Sequence, residues 1–306
     1  MGEQKLMGKT DVYAAELEEL VWDPKNAAEL AEKLMAESNL PGPRANLELA
    51  EAFSRAVSTA AAEPAAWLET LYDWARIPAE EAPAGDPREF LPFCAVISFG
   101  VLYNTHACAY PCTGPCDCPL WPIQSEHLME TVRKTASDSR WRIREAVAIS
   151  LQHLGEGNPA ALQRILDDWL SADAGKDGSL TDSSLPDSSL MERRAVLAAL
   201  AHPPLLGEEE FARYALKTAD RILEEAAAVP AEQRKGEPFR VLKKGLSYAL
   251  SVLVAEAPEE GFTLLERWAK RSDPDIRQVL VENLKKKRLE GVDPQRVADM
   301  LQMLGR

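Results

Sequence analysis

The segment Arg144-Glu145-Ala146-Val147-Ala148-Ile149-Ser150-Leu151 indicates how the second half of this chain is built. It consists of a basic residue, any residue, a small or branched residue, an aliphatic residue, three residues of any type and a Leu. The same pattern starts again at Arg193, Lys243 and Arg277. The steps between these basic residues are 49, 50 and 34 residues. Such steps are typical of helical-hairpin repeats, which are longer where a loop is inserted.

The composition predicts an all-α protein. The chain has 306 residues, of which 46% are hydrophobic and 27% charged, an ordinary balance for a globular protein. Ala, Leu and Glu dominate, and these residues favour helices. Helix pairs that recur with one inward pattern cannot bury their apolar stripes alone, so neighbouring pairs stack into a continuous core. We therefore expect an α-solenoid.

Turn residues ahead of the repeated helix carry a family resemblance. Ser137-Asp138 precedes Arg144, and Ser272-Asp273-Pro274-Asp275-Ile276 leads directly into Arg277. This arrangement resembles HEAT-type repeats of the armadillo-type fold, over roughly residues 125–290. The resemblance implies a right-handed α-α superhelix. We expect degenerate repeats in 1–124, ending in a Cys- and Pro-rich loop at 104–124. HEAT-like repeats would follow in 125–306, with a mobile insertion at 172–189, as one continuous solenoid.

Charge and hydropathy restrict the classes of function. The net charge is -14, and residues 1–137 carry -11 of it, whereas residues 138–306 carry -3. Nucleic-acid binding needs clustered Lys and Arg, which only the second half could provide. The apolar run Phe90 to Tyr103 is too short to cross a bilayer, and the start of the chain has no apolar signal segment. These features predict a cytoplasmic protein with no membrane partner.

The recurring basic residues Arg144, Arg193, Lys243 and Arg277 have two interpretations. As structural residues they would bind turn aspartates such as Asp138, Asp273 or Asp275 and form an internal ladder of ion pairs. As functional residues they would line a concave surface and face an anionic partner. Further cations flank them, which supports the second interpretation: Arg140, Arg142, Arg194, Arg240, Lys244 and the run Lys285 to Arg288. In that run the cations would also favour the dipole at the end of a helix.

The cysteine-rich segment is a candidate metal site. Cys108, Cys112, Cys116 and Cys118 lie close together, with His106 as an alternative ligand. Four thiolates could hold a structural Zn²⁺ ion. The spacing C-x3-C-x3-C-x-C is not that of a standard zinc knuckle, however. The other interpretation is an unliganded loop that is prone to oxidation.

Tryptophans beside acidic residues suggest a catalytic alternative. The HEAT-like DNA alkylation repair glycosylases use an acidic residue among aromatic side chains to stabilise a cationic sugar. The nearest matches here are Asp168-Trp169, Asp73-Trp74 and Trp141. Tryptophan at helical spacing is also typical of core packing.

Together these features predict a non-enzymatic HEAT-repeat scaffold that binds a protein or peptide on its concave face. The predicted binding residues are Arg144, Arg193, Lys243, Lys244, Arg277 and Trp141. The alternative is a DNA-binding or DNA glycosylase-like protein, with Asp168 and Asp73 as the weak catalytic candidates. No cofactor is implied besides Zn²⁺ at the cysteine segment.

Overall fold

The computed structural model describes residues 9–61, 66–105, 121–171 and 185–305. In these ranges the chain forms α-helices, short 3-10 helices and turns, without a β-strand. The prediction of an all-α protein is confirmed. Among the described residues, we find no helix that combines the length and the apolar character needed to cross a membrane.

Contacts divide the chain into two compact units, residues 1–158 and 159–306. The first unit contains these helices: α1 (Lys9–Val21), α2 (Ala27–Ala36), α3 (Leu47–Thr59), α4 (Trp67–Ala75), α5 (Phe90–Thr105), α6 (Trp121–Thr135) and α7 (Trp141–Gly157). Two 3-10 turns, Pro24–Asn26 and Pro87–Glu89, precede α2 and α5.

Helix α5 lies at the centre of the first unit. It packs against α3, α4 and α7, and α3 in turn packs against α1. Helix α5 is apolar around its circumference, and this allows other helices to cover it on several sides. Residues 90–100 are all buried as a result. A Cβ atom at Gly100 would lie 1.8 Å from the carbonyl oxygen of Ser150 in α7. Glycine at this position therefore permits the close contact between α5 and α7.

The second unit contains nine further helices within the described ranges. They are α8 (Pro159–Ser171), α9 (Asp187–Leu200), α10 (Pro203–Leu206), α11 (Glu209–Ala228), α12 (Glu237–Glu256), α13 (Pro258–Ala269), α14 (Pro274–Leu284), α15 (Lys287–Val292) and α16 (Pro294–Met303). Helix α12 lies at the centre and packs against α9, α11, α13 and α14. Helices α9, α12 and α14 are thus neighbours in that order.

Local sequence signals account for the start of α14. Asp273 caps α14, since its carboxylate accepts hydrogen bonds from the backbone N–H groups of Asp275 and Ile276 at 2.9 and 3.0 Å. Pro274 occupies the first helical position, where it has no hydrogen bond to lose. Helix α9 begins at Asp187, inside the predicted insertion 172–189, because Ser189 and Leu190 are buried as its first turn.

Candidate functional site

The four recurring cations make contacts within their own unit. Arg144 is buried in α7, and its Nη1 donates to the carbonyl oxygens of Asp138 and Ser139 at 2.7 and 2.9 Å. The Asp138 carboxylate binds Arg140 instead, with Nη2 to Oδ2 at 2.7 Å. Arg144 therefore stabilises the turn before its helix through backbone oxygens.

Arg193 and Lys243 form contacts between helices. Arg193 is 1% exposed, and its Nε donates to Glu225 of α11 at 2.9 Å, while Nη2 donates to the carbonyl oxygen of Leu170 at 3.2 Å. Lys243 of α12 donates from Nζ to Asp275 of α14 at 2.7 Å. The fourth cation, Arg277, donates to the carbonyl oxygen of Ala269 at 3.5 Å. These contacts favour the structural interpretation of the ladder.

Asp275 lies between two cations. Lys243 pairs with it at 2.7 Å and Arg234 at 3.0 Å. Partial burial alone would raise the pKa of Asp275, but the hydrogen bonds from Lys243 and Arg234 outweigh that effect and lower its pKa. The carboxylate is therefore charged at neutral pH and its charge is balanced by its neighbours.

Trp141 lies at the start of α7 and is 47% exposed. The guanidinium of Arg142 lies 4.5 Å from the centre of its ring. Arg142 itself is buried and donates to Glu89 at 3.1 Å and to the carbonyl oxygen of Gly42. Trp141 is thus an exposed ring fixed on a buried cation of the first unit.

The two acidic candidates lie on the surface rather than among aromatic rings. Asp73 is exposed and pairs with Arg76 at 3.6 Å, whereas Trp74 is directed into a cluster with Phe53 and Trp67. Asp168 is likewise exposed on α8, while Trp169 is buried. Neither carboxylate has the enclosed aromatic surroundings that the glycosylase hypothesis requires.

The cysteine segment lies outside the described residues, and so do all of its predicted ligands: His106, Cys108, Cys112, Cys116 and Cys118. In the ranges that the structure describes, no three His, Cys, Asp or Glu side chains are grouped as metal ligands would be.

One face of α12 carries exposed cations that form no ion pair among the described residues. Arg240, Lys244 and Tyr248 follow each other at intervals of four residues and are exposed, so they lie on one side of the helix. Within the described ranges, the side chains of Arg240 and Lys244 make no hydrogen bond or ion pair. Gly245 directly follows Lys244 in α12, and the aliphatic part of the Arg194 side chain from α9 packs against it. We call Arg240, Lys244 and Tyr248 the α12 strip.

The basic run after α14 extends this strip. The Arg288 guanidinium lies 5.1 Å from the centre of the Tyr248 ring. The prediction that Lys285 to Arg288 lie in the last turn of one helix is wrong, because α14 ends at Leu284 and α15 begins at Lys287. Lys285 and Lys286 follow the end of α14, where cations favour the helix dipole, whereas Lys287 and Arg288 begin α15, where they do not.

Two members of the α12 strip are predicted from the sequence, Lys244 as a binding residue and Arg240 as a flanking cation. Tyr248 is not among the predicted binding residues, although its spacing of four residues from Lys244 is a signal for it. Lys243, predicted as a binding residue together with Lys244, points toward α14 instead.

Comparison with protein-family models found no match to this chain, and comparison with curated proteins found none either.

Proposed function

We propose that this protein is a non-enzymatic scaffold of HEAT-like helical repeats that binds a protein or peptide partner. The order of helix contacts supports repeats. In the first unit α3, α5 and α7 are successive neighbours, and in the second unit α9, α12 and α14 are. Each of α7, α9, α12 and α14 carries one cation of the ladder in its first half, and the contacts described for these cations lie within their own unit.

The observation that carries the binding function is the α12 strip. Other arginines of the second unit are matched by carboxylates, for example Arg213 with Glu260 and Arg271 with Glu224. Arg240 and Lys244 have no such partner among the residues that the structure describes, and a half-exposed tyrosine lies beside them on the same helix face. Arginine and tyrosine are the side chains that most often contribute binding energy at protein interfaces.

A selection from a random peptide display library tests this function. We expect the intact chain to enrich peptides whose binding is lost in Tyr248→Ala and in Arg240→Glu/Lys244→Glu. Lys217→Glu is the matched control, because Lys217 is an exposed cation of α11 without a described partner. Circular dichroism shows that each variant is folded. Peptides that bind all variants equally, or no enrichment at all, would contradict a binding role for the strip.

The DNA-binding alternative rests on the same unpaired cations. Two observations weaken it: Arg193 and Lys243 are engaged in internal pairs, and the chain has a net charge of -14. Nucleic-acid binding is therefore the second candidate function, and binding of a labelled oligonucleotide tests it.

A further inference from the structure

We propose that the α12 strip binds a short acidic segment of a polypeptide in preference to nucleic acid. This inference rests on the proposed function and specifies the chemistry of the partner. It is based on three properties of the strip: its charge, its length and the Tyr248 hydroxyl, which has no hydrogen-bond partner among the described residues.

The charge of the strip is uncompensated. Arg240 and Lys244 have no described ion-pair partner, and Arg288 adds a third cation through its contact with Tyr248. The carboxylate of Asp275 on the adjoining helix α14 is already neutralised by Lys243 and Arg234. An incoming carboxylate would therefore gain contacts with Arg240 and Lys244 without breaking an existing pair. Arginine binds a carboxylate through two parallel N–H donors, which adds directional preference.

The length of the strip matches a short segment. Arg240 and Tyr248 are eight residues apart in α12, which corresponds to about 12 Å along the helix axis. An extended peptide advances about 3.3 Å per residue, so about four residues cover that distance. Two or three carboxylates in such a segment could reach the cations together.

Tyr248 supplies contacts that do not depend on charge. Its ring is 51% exposed, and its hydroxyl has no hydrogen-bond partner among the described residues. The ring offers apolar area to a neighbouring side chain, and the hydroxyl can donate to a carboxylate or to a backbone carbonyl. A tyrosine beside arginines is therefore suited to a peptide with both acidic and apolar residues.

The distribution of charge favours a short acidic ligand over a nucleic acid. A duplex carries one charge about every 1.7 Å along its axis, so its charge extends far beyond a strip of about 12 Å. The cations of the strip cannot neutralise that excess, and residues 138–306 as a whole carry a net charge of -3. A short peptide has few charges beyond the strip, and repulsion from distant carboxylates is screened over about 8 Å at physiological salt.

Fluorescence anisotropy with defined probes tests this inference. The first probe is a labelled peptide of about eight residues in which Glu and Asp alternate with Leu and Gly. The second has Gln and Asn in place of Glu and Asp, and the third is a labelled DNA oligonucleotide duplex whose phosphates extend well beyond the strip. We expect the acidic peptide to bind at least about tenfold more tightly than the other two. Arg240→Glu/Lys244→Glu should weaken its binding by about tenfold or more, and Lys217→Glu should leave it unchanged.

The outcomes separate this inference from the proposed function. If peptides from the display selection bind through Tyr248 but the acidic probe does not, the acidic partner is wrong and the scaffold function stands. If no peptide binds, both are wrong. Tighter binding of the oligonucleotide, lost in Arg240→Glu/Lys244→Glu, would overturn the inference in favour of nucleic acid.

Discussion

Arg193 is the most deeply buried cation of the ladder. Its guanidinium binds Glu225 and the carbonyl oxygen of Leu170, and it thereby joins α9 to α11 and to the end of α8. A buried charge is stable only when its hydrogen bonds are satisfied. Removing the guanidinium leaves Glu225 with a single arginine, Arg221, at 2.9 Å.

We expect Arg193→Ala to lower the free energy of unfolding by about 3 kcal/mol, since it breaks a buried pair and leaves a cavity. Urea unfolding followed by circular dichroism measures the loss. Lys244→Ala is the control, and as an exposed, unpaired residue it should change the free energy of unfolding by no more than about 0.5 kcal/mol. A loss below about 1 kcal/mol for Arg193→Ala would mean that this cation contributes little to the fold.

Asp275 makes the stability of the second unit depend on pH in the acidic range. Its folded-state pKa lies below the usual value of 3.8 because Lys243 and Arg234 stabilise the charged form more than burial destabilises it. A lowered pKa adds stability that is fully present above the unfolded-state pKa and is lost as the pH falls through the folded-state pKa. The loss from this group therefore lies below about pH 4.

We expect Asp275→Asn to cost about 1–2 kcal/mol of unfolding free energy at neutral pH, the range for hydrogen bonds to charged groups. Below about pH 4 the difference from the natural chain should narrow, because the protonated aspartate also loses its charge. Urea midpoints measured between about pH 3 and pH 7 check this. A difference that stays constant over that range would contradict the lowered pKa.

The packing of helix α5 against α7 depends on one residue, Gly100. Its contact with α7 brings Gly100 so near to Ser150 that a Cβ atom would lie within 1.8 Å of a backbone oxygen. A backbone oxygen cannot move aside as a flexible side chain can, so a larger residue must separate the two helices.

We expect Gly100→Ala to destabilise the protein by about 2 kcal/mol or more, despite the higher helix propensity of alanine. Gly207→Ala is the matched control: a Cβ atom there meets no atom within 4 Å, and its backbone is helical. That control should be neutral or slightly stabilising. Thermal unfolding of both variants measures the difference, and equal melting temperatures would show that α5 and α7 can separate at little cost.

The sequence predicted elements best where a local signal acts alone. Asp273 and Pro274 mark the start of α14 through a cap hydrogen bond and a first-turn proline that both lie within the first residues of the helix. The apolar run from Phe90 predicted the buried helix α5 for the same reason. The break after Leu284 was missed. The buried Asn283 side chain donates to the carbonyl oxygen of Leu246 in α12, and a contact of this kind depends on tertiary packing.

The candidate site was predictable only in part, because the sequence motif does not show which cations are used in packing. The pattern that identified Lys243 is the pattern of a packed residue, and Lys243 does pair with Asp275. Lys244, one position further along the helix, points away from that contact and is exposed. Adjacent residues on a helix differ by about 100° in direction, so a sequence motif alone does not separate a structural cation from an available one.

At the scale of the whole molecule, acidic charge is concentrated in one half of the chain. Residues 1–137 carry a net charge of -11 and residues 138–306 only -3. Like charges at this density repel each other in the folded state. Exposed ion pairs such as Arg213 with Glu260 stabilise the folded state, but each adds little to the free energy of unfolding.

Because repulsion is spread over many charges and the exposed pairs are weak, we expect screening to stabilise the protein. Raising NaCl from about 10 to about 150 mM shortens the screening length from about 30 to about 8 Å. The melting temperature should then rise by about 2 °C, which corresponds to about 1.3 kcal/mol for a chain of this size. The buried pairs Arg193–Glu225 and Arg142–Glu89 are shielded from salt, so they should not oppose the rise. Scanning calorimetry measures it, with KCl as a control for binding of a particular ion. A falling melting temperature would mean that the exposed pairs outweigh the repulsion among the acidic residues.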